Sequence, residues 1–236
     1  MTSPRRSRRW RTEAPDKEPG GNRRGYGRVF VLSSPSGGGK TTVVEQLRRR
    51  MPDVVRSVSV TTRRPRLGER SGREYQFVSP AEFQRLVRAG GVLEWARVHD
   101  AYYATPRGPV LRALARGQNV ILSIDVQGAR QVRRGLGKRA VLVFLLPPSF
   151  DDLRKRLMRR STDTPSAIRR RLAAAKRELA CAAWYDHTVV NNELNRAVAE
   201  VQTIIREADP RVRRTASGRV ASGARDSRRA NQRKGQ

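Results

Sequence analysis

Residues 28–52 constrain the fold of this chain more than any other segment. Residues 28–33, RVFVLS, form a continuous apolar run of the kind that is buried on both faces of a parallel sheet. A loop with three consecutive glycines follows, and residues 41–50 then carry apolar side chains at helical spacing until Pro52 ends the pattern. The segment therefore predicts a strand, a glycine-rich loop and a helix in succession.

The loop has the sequence SPSGGGKTT and departs from the pattern G-x-x-x-x-G-K-[ST] only at its first position, where Ser34 replaces glycine. Consecutive glycines let backbone N–H groups converge on anionic oxygens, and the positive end of the following helix favours the same charge. Lys40 adds a cation, and the Thr41 hydroxyl suits a Mg²⁺ ion held by phosphates. We therefore expect a nucleoside triphosphate site. Its predicted residues are Ser36, Gly37, Gly38, Gly39, Lys40, Thr41 and Thr42.

The rest of the chain mostly alternates between strand and helix patterns. Buried strands are predicted at residues 119–124 and 140–146, each followed by a helical stretch. Helix start signals stand at Ser149 and at Thr164-Pro165. A strand over residues 187–191 and a helix over residues 194–205 complete the series. This alternation predicts the α/β class, with a parallel sheet flanked by helices.

Residues 56–105 interrupt that alternation, because their pattern is polar, alternating and broken by proline. One helix is well signalled inside the segment. Ser79-Pro80-Ala81-Glu82 is a capping box with proline at the first helical position, and Gly90-Gly91 ends the helix. We expect an inserted subdomain of short strands and one helix.

The chain carries 51 Lys and Arg against 21 Asp and Glu, a net charge of +30. Residues 1–28 hold nine basic and three acidic residues, and residues 211–236 hold nine basic and one acidic residue. Because both ends have few apolar residues, we expect disordered basic tails at 1–27 and 209–236. Such tails are able to contact polyanions nonspecifically. Solvated extensions without a dedicated partner are the favoured interpretation, because charge runs usually lack a specific function.

Hydrophobic residues still make up 37% of the chain, which is enough to bury the core of one domain over residues 28–208. No apolar run is long enough to suggest a membrane span or a secretory signal, so we expect a cytoplasmic location. The single cysteine, Cys181, excludes an internal disulfide. With only His99 and His187 beside it, there is no zinc pattern, and any metal must use oxygen ligands.

Several sequence blocks beyond the loop carry the substrate information. They are residues 57–69 (SVSVTTRRPRLGE), 72–78 (GREYQFV), 93–96 (LEWA), 102–103 (YY), 124–129 (IDVQGA), 147–149 (PPS), 160–162 (RST) and 190–191 (VN). Together they strongly resemble the guanylate kinase family, and the first and third blocks are highly specific to it. The resemblance implies the P-loop NTPase fold with an inserted GMP-binding subdomain at about 56–105 and a lid at about 158–171.

The resemblance also implies a GMP site. The residues implied to hold the GMP phosphate are Arg63, Arg66, Tyr75 and Tyr103, and those implied to read guanine are Ser59, Glu94 and Thr105. Two arginine forks and two phenolic hydroxyls suit a dianionic phosphate. A carboxylate such as Glu94 can accept hydrogen bonds from N1–H and the 2-amino group of guanine, which adenine does not present on that edge.

The catalytic groups follow from the same resemblance. Arg160 and Arg171 match the lid arginines that approach the transferring phosphoryl group, and Lys40 acts with them. ATP is the implied donor, and Mg²⁺ the implied cofactor, with Thr41 as its ligand. Asp125 follows a buried strand and is implied either to orient Mg²⁺ through water or to contact GMP.

Four positions depart from the family pattern. Ser34 replaces a loop glycine, Ala104 stands where glycine usually follows the paired tyrosines, Ser123 replaces an acidic residue near the guanine, and Asn192 replaces an aspartate. None of these changes removes an essential charge.

The sequence thus predicts an enzyme that converts ATP and GMP, and also dGMP, to ADP and the nucleoside diphosphate. Three alternatives stay open at this point. They are a noncatalytic module with the same fold, a nucleic-acid-binding protein suggested by the net charge, and a similar kinase acting on another phosphorylated compound. The loop lysine, Asp125 and the lid arginines together argue against the first alternative. Residues 29–210 contain no pattern of a known nucleic-acid reader, which argues against the second.

Overall fold

The computed structural model describes residues 26–98, 100–158 and 165–209, and every structural statement below concerns these residues. Residues 159–164 of the predicted lid, which include Arg160, and most of both predicted tails therefore lie outside the described residues. The elements in chain order are β1 (Val29–Ser33), α1 (Lys40–Arg50), β2 (Val55–Arg56), β3 (Val60–Thr61), β4 (Gln76–Phe77), α2 (Pro80–Arg88), β5 (Val92–Val98), β6 (Ala101–Pro106), α3 (Arg107–Ala115), β7 (Val120–Ser123), α4 (Val126–Leu136), β8 (Ala140–Leu146), α5 (Phe150–Met158), α6 (Pro165–Ala180), β9 (His187–Val190) and α7 (Leu194–Ala208).

Five of these strands form a parallel sheet in the order β2-β7-β1-β8-β9. The central strand, β1, is buried along its whole length. Its side chains alternate between two cores: Phe30 and Leu32 pack in the core that includes α1 and α7, and Val29 and Val31 pack in the core that includes α3 and α4. The α/β class and the mainly parallel sheet are therefore confirmed.

A second sheet is formed by residues 60–106 in the order β4-β3-β6-β5, with β3 antiparallel to β6 and β6 antiparallel to β5. Helix α2 closes one side of it through Phe83, which packs with Val60 and Ala104. Ala104 is fully buried, so the methyl group that replaces the usual glycine contributes to this small core.

The predicted helix starts are confirmed where the structure describes them. The Ser79 hydroxyl accepts a hydrogen bond from the Glu82 backbone N–H, and the Glu82 carboxylate accepts one from the Ser79 N–H, which completes the capping box of α2. Ser149 Oγ likewise accepts from the Asp152 backbone N–H at the start of α5. Helix α3 was not predicted, because Gly108-Pro109 in its first turn reads as a loop signal.

Asn119 joins the two ends of the described domain. Its side-chain Oδ1 accepts from the Arg28 backbone N–H at 2.9 Å, and its Nδ2 donates to Asp209 Oδ2 at 2.8 Å. Asn119 is 1% exposed. This contact lies at the amino ends of β1 and β7, whereas the glycine-rich loop lies at the carboxyl end of β1.

Within the described ranges, no helix combines the length and hydropathy needed to cross a membrane.

Candidate active site

The glycine-rich loop connects the carboxyl end of β1 to the start of α1. Gly37 has φ +87° and Gly39 has φ +86°, a backbone conformation that side chains other than glycine rarely adopt. A Cβ at position 39 would also come well inside 3.0 Å of Asn191 Nδ2. These two glycines are therefore required by backbone conformation, and one of them by space as well.

Ser34, the departure from the usual loop pattern, is accommodated by a neighbouring glycine. Its side chain is buried, and its Oγ donates to the Pro35 carbonyl at 3.1 Å. A Cβ at Gly38 would lie 2.9 Å from Ser34 Cβ. Gly38, the middle of the three loop glycines, thus leaves the space that the Ser34 side chain occupies.

Asn191 supports the loop from the end of β9. Its Nδ2 donates to the Gly38 carbonyl at 2.9 Å, and the side chain is almost fully buried. Asn191 was not predicted as a site residue. The signal available for it was its place directly after strand β9, at the carboxyl ends of the parallel strands, where the loop also lies.

Lys40 is surrounded by carboxylates from three different elements. Its Nζ donates to the Ile124 carbonyl at 2.9 Å. Burial lowers the pKa of Lys40, and the charges of Asp125, Glu178 and Glu94 oppose that shift. Of these three, Glu178 was not predicted.

Glu178 reaches the loop from α6. Its Oε2 accepts a hydrogen bond from the Ser36 backbone N–H at 3.3 Å. Burial raises the pKa of Glu178, while the Ser36 hydrogen bond and the Lys40 charge oppose the shift. No local sequence signal marks this residue, because one acid in a helix rich in Arg and Lys resembles an ordinary exposed helix charge.

Asp125 caps α4 and faces the same lysine. Its Oδ1 accepts from the Gly128 backbone N–H at 2.9 Å, and its Oδ2 accepts from Gln127 Nε2 at 3.1 Å. Both carboxylate oxygens therefore already have a protein donor. Among the carboxylates, Asp125 does most to raise the pKa of Lys40 against the effect of burial.

Glu94 is a buried carboxylate on β5 of the second sheet. It is 3% exposed, and its Oε1 accepts from Thr105 Oγ1, on the paired strand β6, at 2.6 Å. Burial raises the pKa of Glu94 to about 7, with Asp125 adding to the shift and Thr105 and Lys40 opposing it. Two predicted guanine-reading residues are therefore in direct contact.

A second group of predicted residues surrounds Arg63. The Arg63 guanidinium donates to both Glu69 oxygens, at 2.8 and 2.9 Å. Its Cζ lies 5.5 Å from the Tyr75 ring centroid, and the Tyr75 and Tyr103 rings are 5.8 Å apart. The hydrogen bond from Arg63 is the main cause that lowers the pKa of Glu69. Glu69, which was not predicted as a site residue, thus orients the arginine.

The other described residues that were predicted for the site are Arg66, Ser59, Thr41, Thr42 and Arg171. Arg66 is exposed, and its backbone N–H donates to Glu69 Oε2 at 2.8 Å. Ser59 is half-buried, and its carbonyl accepts from the Gln76 N–H at 2.8 Å. Thr41 and Thr42 are exposed in the first turn of α1, and Arg171 is half-buried in α6.

The described chain thus combines a loop of backbone donors around one lysine with a buried carboxylate and an arginine–tyrosine group on the second sheet. The guanylate kinase family model matches residues 26–208. A guanylate kinase from Thermobifida fusca is 52% identical over 178 residues, which are 75% of this chain and 90% of that protein. One from Gloeobacter violaceus is 50% identical over 183 residues, 78% of this chain and 89% of that protein. The crystal structure of guanylate kinase from Anaplasma phagocytophilum has a TM-score of 0.67 at 32% identity, covering 79% of this chain and 88% of that one.

Proposed function

The chain belongs to the guanylate kinase family, and we infer that it transfers the γ-phosphoryl group of ATP to GMP, forming ADP and GDP. Beyond the relatives, one observation carries this assignment. Lys40, suited to phosphate, donates to the Ile124 carbonyl at 2.9 Å, and the carboxylate of Glu94, suited to guanine, lies against Gly128 four residues further along the same segment. An acceptor base site and a donor phosphate site in one cleft are what direct transfer between two nucleotides requires.

We propose that residues 36–42 bind the ATP phosphates. The proposal is supported by the left-handed Gly37 and Gly39, which turn the loop around its own backbone N–H groups, and by the position of Lys40 at the head of α1. The buried ammonium group exchanges its protein neighbours for phosphate oxygens without first losing a full water shell.

Mg²⁺ fits this site as an ion held largely by the nucleotide. Among the described residues, no group of three His, Cys, Asp or Glu side chains could hold a metal by itself. Mg²⁺ commonly uses one or two protein oxygens together with substrate phosphates and water. The exposed Thr41 hydroxyl would be its direct ligand, and Asp125 would act through water. When bound, the ion would neutralise charge on the β- and γ-phosphates.

For the acceptor, we propose that Arg63, Arg66, Tyr75 and Tyr103 bind the GMP phosphate. The Arg63 fork is already oriented by Glu69 and the Tyr75 ring, so little side-chain freedom is lost when it turns to phosphate. We assign guanine recognition to Ser59, Glu94 and Thr105. The Thr105 hydroxyl fixes one oxygen of Glu94 and thereby orients the carboxylate.

The proposed mechanism needs no general base. The attacking GMP oxygen is already anionic near neutral pH, so catalysis rests on alignment and on charge stabilisation of the transferring group. Lys40 supplies one positive charge from the loop. Arg160 and Arg171 supply two more, and Asp125 acts either on Mg²⁺ through water or on GMP.

A coupled ADP-release assay with GMP, dGMP, AMP, CMP and UMP tests the assignment. With Mg²⁺-ATP as donor, we expect the protein to phosphorylate GMP and dGMP, because the proposed contacts are with guanine and the phosphate, which both nucleotides share. AMP, CMP and UMP lack guanine and should be nearly unused. If none of the five is phosphorylated, the enzyme assignment fails. If AMP is used as well as GMP, the role of Glu94 in base recognition fails.

We also propose that the basic terminal segments, outside the described residues, bind polyanions nonspecifically, and that the protein acts in the cytoplasm. Removing residues 1–24 and 211–236 should leave GMP phosphorylation nearly unchanged at moderate salt. Retention on a polyanionic resin or RNA should fall, with a shallower dependence on salt, because each neutralised phosphate contributes a counterion-release term. An unchanged salt slope would assign polyanion binding to the folded surface instead.

A further inference from the structure

Gly128 lies in the first turn of α4, directly against the Glu94 carboxylate. A Cβ built at position 128 would lie 2.9 Å from Glu94 Cδ and closer still to Oε2. Real Cβ atoms essentially never come within 3.0 Å of another heavy atom outside their own neighbourhood. The carboxylate of Glu94 therefore occupies the volume that the side chain of any other residue at 128 would need.

The carboxylate has little room to retreat. It is 3% exposed, and its other oxygen is fixed by the Thr105 hydroxyl at 2.6 Å. The same Cβ would also lie 3.3 Å from Ile124 Cδ1, on the strand side. Glu94 is thus held between β6 and the start of α4, and a methyl group at 128 would displace its carboxylate rather than the backbone.

Neither backbone conformation nor helix stability accounts for glycine at this position. Gly128 is not among the residues with positive φ, so an L-residue could adopt its backbone conformation. Glycine inside a helix is also less favourable than alanine. The close approach of Glu94 is the remaining structural reason for a residue without a side chain.

We propose that Gly128 is a specificity-determining position. The absence of a side chain at 128 leaves space beside the first turn of α4 for the Glu94 carboxylate. In this position one carboxylate oxygen accepts from Thr105, and the other is directed toward the guanine donors. This inference rests on the proposed role of Glu94 in guanine recognition. It adds that the base selectivity of the site is set partly by an absent side chain on a neighbouring helix.

The test compares Gly128→Ala with Gly135→Ala, which lies in the same helix with nothing within 4 Å of its added Cβ. We expect G128A to raise the KM for GMP about 10- to 100-fold, the range for misplacing a hydrogen bond to a charged group. The KM for ATP should stay within about twofold. G135A should leave both constants unchanged and should unfold at or above the wild-type temperature, because alanine favours the helix. G128A should fold but unfold at a lower temperature than G135A, because its methyl group crowds a buried carboxylate.

Selectivity provides a readout that a purely structural effect would not change. IMP lacks the 2-amino group of guanine, so the wild-type preference for GMP over IMP in kcat/KM reports the carboxylate contact. We expect this preference to narrow in G128A and to stay unchanged in G135A. An unchanged preference in G128A, or equal effects of the two variants, would overturn the proposal.

A cycle with Glu94→Ala separates this proposal from the assignment on which it rests. If Gly128 acts through Glu94, then G128A should add no further increase in the GMP KM to the E94A background. If G128A raises the KM for GMP by the same factor in the wild-type protein and in E94A, Gly128 does not act through Glu94 and the proposal is wrong. If E94A itself fails to change the GMP KM, the role of Glu94 fails, which is a different result.

Discussion

The central strand of the five-stranded sheet is fully buried, whereas the strands of the four-stranded sheet that flank the proposed GMP site are partly exposed. The two regions also differ in the groups proposed to bind phosphate. At the loop, the proposed donors are backbone N–H groups and one cation, Lys40, whose Nζ donates to the Ile124 carbonyl. At the second sheet, the proposed donors are side chains, and Arg63 is held by Glu69 and by aromatic rings.

This contrast implies different responses to substitution. A backbone site depends on the turn that orients it, so the glycines should be sensitive in the loop, together with Lys40 and the proposed Mg²⁺ ligand Thr41. A side-chain site distributes its binding over several residues, so each single change should have a smaller effect on the phosphate contact.

The largest effect is expected for Lys40→Ala. Losing the loop cation should reduce turnover by about 10²-fold or more. The fold should stay intact, because burial already disfavours the charged form of this lysine. Steady-state kinetics and thermal unfolding check both points. Lys138→Ala, at an exposed turn, is the control and should behave as wild type. A wild-type rate in K40A would contradict the catalytic assignment of the loop.

Glu94→Gln tests the second sheet. The amide turns one acceptor into a donor facing guanine donors, so the KM for GMP should rise about 10- to 100-fold. The KM for ATP should change by less than about twofold, because the ATP phosphates contact the other region. Equal changes in the two constants would place Glu94 outside the base site and remove the contrast between the regions.

The raised pKa of Glu94 adds a pH dependence to the same region. Below about pH 7 the carboxyl group holds its proton and cannot accept two hydrogen bonds from guanine. The kcat/KM for GMP should therefore fall about tenfold per unit below pH 7 and level off above it. In Glu94→Gln the step near pH 7 should be absent, whereas titration of the GMP phosphate affects both proteins alike. A step that persists in the variant would assign it to another group.

The smallest effect is expected for Glu178→Gln. The Glu178 carboxylate accepts from the Ser36 N–H and lies within the electrostatic reach of Lys40. In the proposed ATP site it would therefore compete with the phosphates for both groups. Removing its charge while keeping an acceptor should lower the KM for ATP roughly two- to fivefold, the size of a partly screened charge pair. The KM for GMP should be unchanged. Glu200→Gln, on the exposed side of α7, is the control. A raised KM for ATP would instead make Glu178 a support for the loop.

The three central strands of the five-stranded sheet, β7, β1 and β8, could be predicted from the sequence because they are continuous, almost fully buried apolar runs. Strand β2 has only two half-buried residues and was not predicted. The second sheet could be predicted only as short strands. Strands β3 and β4 have two residues each, and their neighbours supply the packing that fixes them. Helix α3 was not predicted, because Gly108-Pro109 reads as a loop signal. The helix tolerates Pro109 because a backbone N–H in the first turn has no helical partner, so the missing N–H of proline costs no hydrogen bond.

For the site, the sequence indicated residue types with clear chemistry, such as Lys40 and Glu94. It did not indicate Glu178, because the contact with Ser36 joins residues that are 142 positions apart. It also gave no reason for Gly128 beyond its place in a motif, because the relevant fact is the position of a carboxylate on another element. Contacts between distant elements are the part of a site that local pattern does not encode.

The Asn119 contact has a consequence for how this domain could be engineered. It places the backbone of Arg28 beside the side chain of Asp209, so the polypeptide enters and leaves the domain at one point. A few residues of linker would join these positions into a ring, and the exposed turn at Gly137–Arg139 offers a place to open it. For the same reason, the domain suits insertion into a surface loop of a host protein, with its nucleotide cleft directed away from the host.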